Sequence, residues 1–210
     1  LVKASHNIEE SAIVESPDEL ITGTLLRDAE ELRLARLALV LSWRHDQERV
    51  LGFIAQNIDP AEARPRVLDF MRNRLADLTE ALGKSGEPVR ASVWLFSPRI
   101  ERLEFAVGSE IEHPGKAFAP GEGLIGRAFA DNEIKNIADA PRRLEYAFAE
   151  GNEHFHGLLC IPLNQRNGPS IGVLCIDRAD AEMFPKSAVD LGATLADLFA
   201  GVLTALPDSA

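Results

Sequence analysis

Two cysteines, Cys160 and Cys175, are the residues of this 210-residue chain best placed by type and spacing to do chemistry. They lie in two short apolar runs, Leu158-Leu159-Cys160-Ile161-Pro162-Leu163 and Ile171-Gly172-Val173-Leu174-Cys175-Ile176-Asp177, set around a Gly-containing break. Such a pair of runs reads as a buried β-hairpin. A loop centred between Asn167 and Gly168 gives cross-strand partners whose numbers sum to 335. That register sets Cys160 opposite Cys175, on the face shared with Pro162 and Val173. Facing cysteines in a non-hydrogen-bonded pair can approach disulfide distance, whereas a one-residue slip sends them to opposite faces. Two readings stand side by side: a redox pair, or inert packing, since free Cys is among the most buried residue types.

Other constellations are weaker. His154-Phe155-His156 with Cys160 could be drawn as a metal or haem ligand set. Histidines at i and i+2 point to opposite faces of an extended segment, however, and no Asp or Cys cluster completes the set. No metal is expected. Gly121, Gly123 and Gly126 place three glycines within six residues, which marks a sharp turn or close backbone packing. The segment follows no strand and lacks the Lys-Ser/Thr of a phosphate loop, so a turn into a short helix packed on the sheet is expected. No Ser-His-Asp set, paired carboxylates or nucleotide fingerprint is present.

The elements that must position these residues follow from periodicity. Residues 1–15 are polar and without period, a loose terminus. Ser16-Pro17-Asp18-Glu19 is a capping box with proline at the first helical position. No proline follows until Pro60, and Leu25, Leu32 and Leu39 recur every seven residues beside Leu34, Leu37 and Leu41. Uninterrupted, this is a helix of about 40 residues, roughly 60 Å long. Its leucines either meet a partner or cover the chain's own core, and a break near Ser42 or Asp46 would fold it into a hairpin. After Asp59-Pro60-Ala61-Glu62 and Pro65, a second helix carries Val67, Phe70, Met71, Leu75, Leu78 and Leu82 on one face and stops at Gly83. Val89–Phe96 and Leu103–Gly108 alternate as strands around the Ser97-Pro98-Arg99 turn. Ile134–Ile137 is a short apolar stretch, and Pro185 opens a final helix with Leu191, Leu195, Leu198 and Phe199 inward. The expected domains are a flexible acidic terminus (1–15), a helical extension (16–58) and a globular domain (59–210).

Bulk properties narrow the function. The formal net charge is -11. Residues 1–31 hold two basic and eight acidic side chains, a net of -6, which leaves -5 for the rest. That balance repels phosphate backbones, and no basic cluster offsets it, so nucleic acid is not an expected partner. Two cysteines are too few for a disulfide scaffold. No signal peptide is visible and no uninterrupted apolar run approaches the roughly 18 residues of a membrane span, so a cytoplasmic protein with no membrane partner is expected. The first residue is Leu1, not Met, which leads us to expect a segment upstream. The polar ending Pro207-Asp208-Ser209-Ala210 places any output upstream, in the first helix or in another protein.

In order and spacing, the second helix, Ala91-Ser92-Val93-Trp94-Leu95, Gly121-Glu122-Gly123-Leu124-Ile125-Gly126, Ile137-Ala138-Asp139, Cys160-Ile161-Pro162-Leu163, Ile171-Gly172-Val173-Leu174, Phe184 and the closing helix resemble the GAF domain family over about residues 64–206. The resemblance implies an α+β fold: a central antiparallel sheet of five or six strands, entry and exit helices on one face, and loops or short helices enclosing a small-molecule pocket on the other. It also implies a homodimer through those helices and a non-catalytic sensory or regulatory role beside a signalling partner. Residues 17–57 are outside the family's pattern. The family's pocket would be walled by residues 139–160, with Asp139, Arg142, Arg143, Tyr146, Phe148, His154, His156 and Cys160 as candidate ligand contacts. This mixture suits a small polar or anionic molecule, and no cofactor is specified. A pocket below roughly 300 Å³ would instead favour a ligand-free interaction module. Some GAF proteins reduce free methionine sulfoxide with a set of usually three cysteines, where this chain has two. The cyclic-nucleotide motif of the Asn-Lys-Phe-Asp-Glu type and a recognisable bilin cysteine are not found.

Overall fold

The computed structural model describes residues 17–56, 59–83, 88–109, 115–139, 156–165 and 168–206, with side chains from Ala29 onward in the first helix. The chain divides into two compact units, residues 1–38 and 39–210. Helix α1 runs Pro17–Ala55 without the break considered near Ser42 or Asp46; Ser16 lies outside the described residues. In the first unit, Leu34 and Leu37 of α1 are 55% and 54% exposed.

The second unit is a six-stranded antiparallel sheet with helices on both faces, within the five or six strands expected. Helix α2 (Pro60–Leu82) starts where the sequence places it: the Asp59 carboxylate accepts from the Ala61 N–H and proline occupies the first turn. Strands β1 (Val89–Ser97) and β2 (Arg102–Gly108) form the first hairpin. A two-residue strand β3 (Ala117–Phe118) leads into helix α3 (Gly123–Asp131), the turn and short helix expected from the glycines. Strands β4 (Lys135–Ile137), β5 (Gly157–Asn164) and β6 (Ser170–Arg178) and helix α4 (Lys186–Ala205) complete the fold. The sheet order is β3-β2-β1-β6-β5-β4, so the two hairpins meet through β1 and β6. Partners on β5 and β6 sum to 335 from Gly157↔Arg178 to Leu163↔Gly172, the register read from the sequence.

Alternation along the strands builds two cores. On one face Val93, Leu159, Ile161, Leu174 and Ile176 pack against Met71, Leu75 and Leu78 of α2 and Leu195 and Phe199 of α4. On the other, Trp94, Leu158, Cys160, Val173 and Cys175 pack against Leu124 and Ala128 of α3. Residues 39–55 of α1 join the first core through the fully buried Trp43 and the flanking Leu39, Val40, Val50, Leu51 and Ile54. The Trp43 indole N–H donates to Asp77 of α2 at 3.1 Å, and the Gln47 amide donates to the Leu198 carbonyl of α4 at 3.0 Å. The boundary expected at residues 58 and 59 falls in the connection between α1 and α2, whereas the compact unit begins at Leu39.

Among the described residues, α4 is long and apolar enough by composition to cross a membrane, with a mean hydropathy of 1.5 over its best window. Asp190 and Asp197 interrupt it, so it contains no unbroken apolar run of membrane-spanning length. Half of that window is buried, with Leu195 and Phe199 in the helical core, so α4 serves this fold as its central core helix.

Candidate functional site

The sheet face opposite α2 and α4 carries the chemistry. Strand pairing lays three rows across it. Trp94, Val173 and Pro162 form the first, Ser92, Cys175 and Cys160 the second, and Arg90, Asp177 and Leu158 the third. The first row is apolar: Trp94 meets Phe105 and Phe118 edge-on at ring separations of 5.5 and 4.9 Å. The Trp94 indole N–H, buried with its ring, is satisfied by the Ser92 hydroxyl at 3.0 Å.

In the second row the Cys160 and Cys175 sulfurs lie 3.3 Å apart, both free thiols and both buried. The contact with Cys160, reinforced by burial, pushes the Cys175 thiol well above the ordinary thiol range. A thiol so placed is a poor nucleophile at neutral pH, because the thiolate is the reactive form.

The third row is an ion pair inside the sheet. The Arg90 guanidinium donates twice to the Asp177 carboxylate, at 2.8 and 3.2 Å, and both side chains are mostly buried. Burial pushes the Asp177 carboxyl up, and the Arg90 hydrogen bonds only partly offset it. Lys116, just ahead of β3, reaches across the same side with its ammonium 5.9 Å from the Phe118 ring centre. Its amine is lowered, first by burial and then by repulsion from Arg90. Arg90 is paired with Asp177, and Lys116 adds a second cation on the same partly buried face, which favours an incoming anion or polar oxygen.

Of the expected ligand residues, Asp139, His156 and Cys160 are described; Arg142, Arg143, Tyr146, Phe148 and His154 lie outside the described residues, as does the segment whose pocket volume was to decide between sensor and interaction module. The structure brings Asp139 and His156 together. The Asp139 carboxylate oxygen is 3.7 Å from His156 Nδ1, a buried atom with no hydrogen-bond partner among the described residues. Asp139 is held at φ +50°, a left-handed conformation that Asp tolerates better than most residues. Among the described residues no group of three or more His, Cys, Asp or Glu could hold a metal ion. The sequence reading passed over Ser92, Arg90, Asp177 and Lys116. The signal available for two of them was phase: Arg90 and Ser92 alternate with the inward Ala91 and Val93, so they share a face with Trp94.

No family model and no curated protein matches the sequence. Solved structures do match. The GAF domain of an Acinetobacter phosphoenolpyruvate-protein phosphotransferase superposes with a TM-score of 0.57 at 22% identity, covering 78% of this chain and 95% of that one. The corresponding GAF domain from Coxiella burnetii gives 0.56 at 23%, covering 75% and 92%. The fold is a GAF fold. The same GAF architecture is found in a free methionine-R-sulfoxide reductase from Neisseria meningitidis, solved with its substrate, at a TM-score of 0.54 and 17% identity over 79% and 90% of the two chains. The GAF fold is thus shared by domains of phosphotransferases and by a sulfoxide reductase, and at these identities the likeness is one of fold.

Proposed function

We propose that this chain is a non-catalytic regulatory GAF module of a cytoplasmic signalling protein. It binds a small polar or anionic molecule on the Arg90–Asp177 side of its sheet and relays occupancy through α2 and α4 into α1, as a homodimer. One observation carries the relay: Trp43, Asp46 and Gln47, within five residues of α1, are hydrogen-bonded to α2 through Asp77 and Arg74 and to α4 through Leu198. A displacement of the entry or exit helix is therefore transmitted to α1 by directional bonds. A ligand drives it only through unequal affinity for the two helix arrangements. The desolvated Lys116 and the Arg90–Asp177 pair support an anionic or polar ligand, and the exposed Leu34 and Leu37 support self-association. Native mass spectrometry of freshly purified protein tests the whole reading. A dimer that keeps an extra small-molecule mass under gentle activation supports it. A bare dimer unchanged by a metabolite screen favours the ligand-free interaction module, and a strict monomer overturns the dimeric relay.

A second reading, a thiol redox enzyme, is favoured by the 3.3 Å approach of Cys160 and Cys175 and by the fold shared with methionine sulfoxide reductases. Burial of both thiols weighs against it. Incubation with free methionine-R-sulfoxide and a dithiol reductant decides: turnover lost in Cys160→Ser would make the chain an enzyme.

A further inference from the structure

A hollow lies away from the sheet site, between α1 and α2. It is an open groove of about 380 Å³ lined by Arg49 of α1 and Arg66 and Arg74 of α2, with Phe53 and Phe70 beside them and Asp46 as the one carboxylate among the described lining residues. Three guanidinium groups meet two carboxylates, Asp46 in the lining and Asp77 behind Arg74, which leaves an excess of one positive charge. The arrangement of each arginine differs. Arg74 is mostly buried: its Nη1 donates to Asp46 at 2.8 Å and approaches Asp77 at 3.2 Å, while its Nε is buried without a hydrogen-bond partner among the described residues. A buried charged donor left unpaired is costly, so this N–H favours an acceptor. The Arg66 guanidinium carbon lies over the Phe53 ring, 3.9 Å from its centre, and makes no ion pair among the described residues. Contact with the ring face holds that cation in place by attraction to the ring's negative face. Arg49 reaches Asp46 only at 3.8 Å, a carboxylate already engaged by Arg74.

We propose that this hollow is a binding site for a small oxyanion, a carboxylate or a phosphate. Its oxygens are taken by the Arg66 and Arg49 guanidinium groups and the orphan Arg74 Nε, and its apolar body lies against Phe53 and Phe70. The volume is within the range of small-ligand sites. Guanidinium forks match carboxylate and phosphate geometry in two-point hydrogen bonds. Because α1 supplies Arg49 and α2 supplies the other two, an occupant ties the helical extension to the entry helix. The site therefore goes beyond the sheet-face ligand proposed above and stands or falls independently of it.

The test is a titration of the uniformly 15N-labelled full chain with sodium benzoate and, separately, inorganic phosphate, each against chloride at equal ionic strength. The expected result is a saturable shift of backbone amides in 46–53 and 66–74, absent with chloride. Arg66→Gln, an exposed substitution that leaves the core untouched, should weaken binding roughly 10-fold, the value of one charged hydrogen bond. Saturation by benzoate alone assigns a carboxylate with an apolar body, by phosphate alone a phosphate, and by both a general oxyanion site. If neither anion shifts these amides beyond chloride, or if Arg66→Gln binds as tightly as the parent chain, the proposal is overturned.

Discussion

The Asn136 side chain and the Phe184 backbone bond each other twice: the amide donates to the Phe184 carbonyl at 2.8 Å, and its oxygen accepts from the Phe184 N–H at 3.0 Å. This pins the β6–α4 connection to edge strand β4, where Phe184 also lies 5.4 Å beneath the Arg178 guanidinium. Asn136→Ala removes both bonds and strands a backbone donor and acceptor. The expected loss is about 1–3 kcal/mol in urea unfolding, while Asn136→Asp, which keeps only the acceptor, falls in between. An unchanged midpoint for the alanine variant would remove this clasp from the account.

Glycines of the α3 approach differ in why they are glycine. A Cβ on Gly126 would lie 2.2 Å from the Ala119 carbonyl oxygen, so Gly126→Ala must push backbone apart. Gly121 has open space around it but sits at φ +84°. We expect Gly121→Ala to cost about 1–2 kcal/mol, the penalty of a left-handed L-residue. Gly126→Ala should cost more, about 3 kcal/mol, near the upper end of overpacking losses. Thermal denaturation of the two variants ranks them, and the reverse order contradicts the packing geometry.

The Cys175 thiol gives the fold a specific weakness in alkali. Its folded-state pKa is raised, so above the ordinary thiol value the native state binds more protons than the unfolded chain. Stability is then fully present below that value and declines as pH rises through the folded one, by up to about 1.4 kcal/mol per pH unit for one group. In denaturant titrations between neutral pH and pH 10 or so, Cys175→Ala should show a flatter alkaline decline than the parent chain. Parallel curves would mean the thiol does not sense folding.

Leu34 and Leu37 stand more than half exposed on one helix. If they form a contact between two copies, replacing both with glutamate should raise the dimer dissociation constant roughly 100-fold, as expected for buried leucines at an interface centre. Sedimentation equilibrium measures it. Identical association of the variant and the parent chain would place the dimer contact elsewhere.

How much of this was legible in advance depends on how local the information is. The β5–β6 register could be counted from the sequence because two apolar runs and one short loop fix parity. The result, Cys160 opposite Cys175, holds in the structure. Helix α1 was legible because no proline and a seven-residue leucine repeat leave few alternatives. Arg90 and Asp177 were not, because the strands that bring them together lie 87 residues apart and no turn sets their register. A two-residue strand such as β3 has no period to read. The expected ligand wall was legible only in part, since its placement came from resemblance and only Asp139, His156 and Cys160 fall within the described residues.

The hydrogen bond from Gln47 to Leu198 spans 151 positions of the chain. It therefore sets a timetable. While the protein is being synthesised, the docking face of α1 around Trp43 has no α4 to meet until the far end emerges, roughly 8–30 s later at ordinary translation speeds. Strand β1 waits a little over half as long for β6, whose Asp177 lies 87 positions beyond Arg90. Throughout that interval the exposed charges between the apolar positions of α1, among them Arg44, Glu48 and Arg49, keep the waiting helix hydrated. A stall late in translation would release a chain with its first helix made and its last partner missing.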